Sequence, residues 1–138
     1  MSMNVLSQHI LAVGNRNNLN VTNLQLQKVM YFVIQDYLRD HNGIEFIKKI
    51  YNRPFESWQY GPVEPDIYYR YSQYGSMPII NKGHYHKAYW VLDESIVHRL
   101  TTDVFDLIDE SHAEKFWQKN FCEHHQRAKY RLIDIVND

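Results

Sequence analysis

The chain has 138 residues, 44% of them hydrophobic, with a formal net charge of -1 and a mean hydropathy of -0.55. This suits one domain, 1–138, with one core, and excludes a membrane-embedded body, because no stretch approaches the ~20 apolar residues of a span. One cysteine, Cys122, excludes a disulfide framework within the chain; with no basic and then apolar opening segment, the expected compartment is the cytoplasm.

The charge is evenly spread. Up to Tyr69 there are six basic and six acidic residues, and after it nine and ten. Neither half carries the basic footprint of a nucleic-acid binder. The aromatic load is higher than usual, with tyrosines crowded between Tyr60 and Tyr89. Tyrosine, with an apolar body and a polar tip, serves cores and interfaces equally well.

In chain order, Val5, Leu6, His9, Ile10 and Val13 recur at helical spacing, with Gly14 expected just past the helix end. Thr22 and Gln25 form a capping box that opens a second helix. Its apolar residues cover so much of its circumference (Leu26, Val29, Met30, Val33, Tyr37, then Tyr31, Ile34, Leu38) that a central position is predicted. It is expected to end near His41-Asn42-Gly43. Residues 44–51 read either as a short helix or as an edge strand.

Phe55, Trp58 and Tyr60 predict a short strand, bounded by a Gly61-Pro62 turn. Pro65 then opens a helix, with Glu64 as an imperfect cap and Ile67, Tyr71 and Tyr74 on one face; Gly75 stops it. An extended piece is expected around Pro78. Residues 84–92 alternate aromatic and polar side chains and predict a strand that pairs with residues 55–60. From Asp93 or Ser95 a helix is expected through Ile96, Leu100, Val104, Leu107 and Ile108. A second holds Phe116 and Trp117, and a last carries Tyr130, Leu132, Ile133 and Val136. The expected fold class is α+β: a mainly helical single domain with a small antiparallel β-sheet.

No arrangement reads as an active site. His84 and His86 would point the same way in a strand, and Cys122, His124 and His125 are close in sequence. A zinc site needs about four ligands, however, and neither a CxxC nor an HExxH is present. The hydrolase reading through His84, His86, His112 or His124 is therefore set aside, and the carboxylates Asp106, Asp109 and Glu110 read as a solvated helix face. There is no GxSxG and no phosphate-cradling glycine loop. Catalytic residues, metal and cofactor are all expected to be absent.

Two blocks stand out instead: Leu26-Gln27-Lys28-Val29-Met30-Tyr31-Phe32, and Trp58-Gln59-Tyr60-Gly61-Pro62-Val63-Glu64-Pro65-Asp66-Ile67-Tyr68, closing with Tyr71 and Tyr74-Gly75. Together they resemble the Panacea antitoxin domain family, known from phage-associated proteins and from an antitoxin that acts as a proteolysis adaptor. A third family block near the C-terminus keeps His112, Glu114 and Trp117 at the right spacing but loses a proline and a second acid. The resemblance covers about 5–120, and the helical region 95–138 is the divergent part.

The resemblance implies a non-enzymatic bacterial protein that binds and neutralises a toxin encoded beside it, in some cases delivering it to a protease. Self-association stays open. A DNA-binding regulator of toxin–antitoxin or phage genes is the alternative, supported by the polar turn 15–20 between two helices and opposed by the neutral charge. On motif match and amphipathic chemistry together, Gln27, Lys28, Tyr31, Trp58, Tyr60, Gly61, Pro62 and Tyr68 are expected to form one contiguous partner-binding site. Pro65, Tyr71, Tyr74, Gly75, His112, Glu114 and Trp117 are expected to be structural, with the Trp117 indole buried and the His112 imidazole hydrogen-bonded.

Overall fold

A computed structural model of the protein describes residues 1–41, 43–122 and 127–137. Helix α1, Met3–Arg16, is capped by Ser2, whose hydroxyl accepts from Val5 N at 3.1 Å. Gly14 lies inside this helix rather than beyond its end. Its role is close approach: a Cβ there would sit 2.9 Å from Val21 Cγ2 and 3.3 Å from the Leu19 carbonyl. The turn is made later, by Asn18 at φ 56°.

The capping box forms as predicted. Gln25 N donates to Thr22 Oγ1 at 3.2 Å, and Thr22 N donates to Gln25 Oε1 at 3.0 Å. It opens α2, Asn23–His41, whose residues Val29 to Ile34 are all fully buried. Helices packed on it include α1, α5 (Asp93–Leu100), α6 (Val104–His112) and α8 (Leu132–Asn137). The expected end of α2 includes Asn42, which lies outside the described residues.

The ambiguous stretch is helix α3, Ile44–Ile50, with Ile47 and Ile50 turned inward. The sheet is small and antiparallel, as expected, but its second strand is different. Strands β1, Glu56–Trp58, and β2, Gly61–Val63, form a hairpin in the register Glu56↔Val63, Ser57↔Pro62 and Trp58↔Gly61. The turn is therefore Gln59-Tyr60, and Gly61-Pro62 is strand. Residues 84–92 do not pair with β1: Lys87–Leu92 is a 3-10 helix. Tyr89 and Leu92, three apart, are the residues it buries, a periodicity that suits a turn of helix and not a strand. The other edge of β1 is filled from the C-terminus, with Ser57 N donating to the Ala128 carbonyl at 2.9 Å and Tyr130 N to the Phe55 carbonyl at 2.8 Å. Tyr130 thus precedes α8 and is not part of it.

Helix α4, Pro65–Arg70, starts as predicted: the Glu64 carboxylate accepts from Ile67 N at 2.8 Å. A 3-10 turn, Ser72–Tyr74, ends at Gly75, φ 56°. The helix expected through Ile96 to Ile108 is two helices, because Asp103 caps a new start by accepting from Phe105 N at 2.8 Å. Asp93 is the first residue of α5 rather than its cap, and its carboxylate holds His9 Nε2 at 2.7 Å. Phe116 and Trp117 lie in α7, Lys115–Trp117, as expected, and it runs into a π-helical turn, Gln118–Cys122. The His84 and His86 rings are 4.7 Å apart, and no group of three or more metal-ligating side chains occurs among the described residues. His124 and His125, together with the Cys122 side chain, lie outside them. No described helix is long and apolar enough to cross a membrane.

Candidate partner-binding site

The two sequence blocks meet along the outer edge of β2. An exposed strand edge offers unpaired backbone groups, and here side chains of α2 close it. Pro62 has no N–H, so its carbonyl is what it presents outward, and it accepts from Lys28 Nζ at 2.7 Å. Glu64, just past the strand, presents both groups. Its N–H donates to Gln27 Oε1 at 2.7 Å, while Gln27 Nε2 donates to its carbonyl at 3.3 Å. The glutamine amide thus acts as one residue of a missing third strand.

One turn along α2, the Tyr31 hydroxyl donates to Glu114 Oε2, and Gln35 Nε2 donates to Glu114 Oε1 at 2.9 Å. Gln27, Lys28 and Tyr31 are each 0% exposed. Lys28 has no carboxylate within ion-pair distance among the described residues, and burial lowers its pKa to about 7. Gly61, at φ 100°, completes this clasp: a Cβ there would overlap Ser111 Oγ and lie 3.2 Å from Lys28 Cε.

The C-terminal block supports the same hairpin from behind. Trp117 is buried and its indole N–H donates to the Trp58 carbonyl at 2.8 Å. The His112 ring stacks on it, centroids 3.7 Å apart and planes 16° apart. Burial lowers the His112 pKa, opposed by a hydrogen bond with the Gln59 backbone. Its Nε2 has no partner among the described residues, so the expected satisfaction of this imidazole is only half met. Tyr71 is buried, its hydroxyl accepting from Gln8 Nε2 at 2.6 Å.

The open side of the hairpin is different. Tyr60 is 54% exposed and Tyr69 58%, while Trp58 and Tyr68 are half-buried. The Trp58 ring lies 5.3 Å from Tyr68 and 6.1 Å from Tyr69, in tilted and edge-on pairings that favour aromatic contact. Trp58, Tyr60 and Tyr68 border a groove of about 560 Å³, whose wall also includes Leu24, Phe121 and Arg127. Arg127 lies over the Trp58 ring, 4.2 Å from its centroid, and the indole N–H donates to Glu56 Oε1 at 3.0 Å.

The eight residues expected as one contiguous site therefore fall into two sets. Gln27, Lys28, Tyr31, Gly61 and Pro62 build the clasp beneath the hairpin, whereas Trp58, Tyr60 and Tyr68 face the groove. Sequence reasoning missed Tyr69, which packs against Trp58 and Tyr68 without lining the groove, and whose only signal was its place beside Tyr68. It also missed Phe121 and Arg127, which are brought in from the divergent region by tertiary packing.

A family model described as "Antitoxin SocA-like, Panacea domain" matches residues 26–110. That span holds the clasp and the hairpin aromatics, but not Glu114, Trp117, Phe121 or Arg127. Among curated proteins, the chain is similar to Antitoxin SocA of Caulobacter vibrioides (strain NA1000 / CB15N), 37% identical over 62 residues. The aligned stretch covers 45% of this chain and 30% of that relative, so it takes in less than a third of the relative's length. No solved structure matches the chain.

Proposed function

The chain belongs to the SocA-like antitoxin family with a Panacea domain, and on that premise we propose that it is an antitoxin whose aromatic groove binds a partner toxin and holds it inactive. The action is binding, not catalysis. The observation that carries this reading is the division of the family block itself. Its polar members lock the hairpin onto α2, leaving Trp58, Tyr60 and Tyr68 along an open groove. Exposed aromatics on a rigid support are what interface hot spots are made of: large contact area, few torsions to freeze, and a polar tip to hydrogen-bond.

The toxin is proposed to be encoded beside this chain. A protease that receives the toxin from the complex is a further proposed partner, and it would engage a surface other than the occupied groove. Co-expression with the neighbouring gene tests the reading. The unaltered chain should restore growth and co-purify with the gene product, and Tyr60→Ala should lose both while its thermal midpoint stays put. A neighbouring product that is harmless alone, or neutralisation that survives Tyr60→Ala together with Trp58→Ala, overturns it.

A further inference from the structure

The chemistry of the groove narrows what it can hold. Among the described residues its wall is aromatic and neutral-polar, with Arg127 the one charged side chain. The guanidinium is stacked on Trp58, and no carboxylate lies within ion-pair distance of it among the described residues. Stacking restrains the plane of a guanidinium while leaving its N–H edge free, which prepares it for a bidentate carboxylate. Among the described residues, the charges next to it do not cancel it. Glu56 commits one oxygen to the Trp58 indole, and Lys129 lies opposite Glu56 in bridge register. The local sum over Glu56, Arg127 and Lys129 is positive.

From this complementarity we infer that the groove takes an extended acidic peptide segment of the partner, with an apolar or aromatic side chain against Trp58, Tyr60 and Tyr68 and a neighbouring Asp or Glu carboxylate on Arg127. A nucleic-acid strand could use the same stacking surfaces, but it needs a basic track along its backbone. The chain's net charge is -1, and among the described residues the groove wall supplies a single cation. This inference rests on the groove being the toxin-binding site and adds the chemistry of its occupant.

The probes are fluorescein-labelled peptides in a Gly-Ser frame carrying Glu-Phe-Glu-Phe, with Gln and Lys in place of Glu as controls, and an oligothymidine. Anisotropy with the full chain is measured at low and at physiological salt. The Glu peptide should bind about tenfold more tightly than the Gln peptide, more so at low salt, and the Lys peptide more weakly than either. Arg127→Ala and Arg127→Gln should each erase the Glu-over-Gln preference, while Tyr60→Ala weakens every peptide. Equal binding of Glu and Gln peptides, a preference that survives both Arg127 variants, no peptide binding at all, or tighter binding of the oligothymidine overturns the inference. If these peptides fail while Tyr60→Ala still loses neutralisation, the acidic occupant is wrong and the groove as toxin site stands.

Discussion

The clasp and the groove share one hairpin: the clasp joins the outer edge of β2 to Gln27 and Lys28 of α2, and the groove runs along Trp58, Tyr60 and Tyr68. In the clasp, polar side chains are sealed away: Gln27 and Lys28 satisfy backbone groups that water would otherwise have to reach. In the groove, large apolar rings are left in the open. Each side inverts the usual rule of placement, for one reason. A two-stranded hairpin of three-residue strands cannot hold its own shape, so it borrows a third edge from α2 and support from Trp117, which frees its outer aromatics from core duty.

Breaking the clasp should therefore cost stability, and breaking the groove should cost binding. The largest effect is expected for Gly61→Ala, which combines a left-handed backbone with overlap against Ser111. Chemical denaturation should show a loss of about 3 kcal/mol or more. Next is Glu114→Gln, which weakens the bonds from Tyr31 and Gln35 to a buried carboxylate and should cost about 1–3 kcal/mol. A variant that melts unchanged would show that α2 does not depend on the C-terminal block.

The Lys28 prediction concerns pH. Its folded pKa, about 7, lies below the ordinary lysine value of 10.5, so the unfolded chain binds more protons between those values. Stability should then rise as pH increases from about 7 toward 9, and fall back on acidification to a floor below 7. Lys28→Met, similar in volume but unable to titrate, should flatten that slope in a series of thermal midpoints. The lowered His112 has the same sign at lower pH, with stability lost as the solution is acidified through its unfolded value. The smallest stability change is expected for Tyr60→Ala, within about 0.5 kcal/mol by denaturation, despite its expected loss of neutralisation.

Some features were legible because their physics is local. The Thr22–Gln25 box and the Glu64 cap with Pro65 behind it each depend on groups within a few residues, and each forms. The helix opened by Pro65 ends at Arg70, short of the expected stop at Gly75, which instead closes a separate 3-10 turn. The all-round apolar pattern of α2 likewise announced a central helix. The strand at 84–92 was misread because alternating aromatics fit a strand as well as a 3-10 turn, and only the partner of Tyr89 and Leu92 decides. Gln27 and Lys28 look like surface residues by type, and their burial becomes intelligible only when Pro62 and Glu64 arrive 34 and 37 residues later with unpaired backbone groups.

The sequence by itself determined the starts of α2 and α4, the α+β class and the family resemblance, since these follow from caps, periodicity and motif spacing. Only the tertiary structure decided which motif residues are hidden and which line the open groove, and that Arg127 joins Trp58 there. Burial and charge pairing are properties of what packs across the fold, and no run of neighbouring residues encodes them alone.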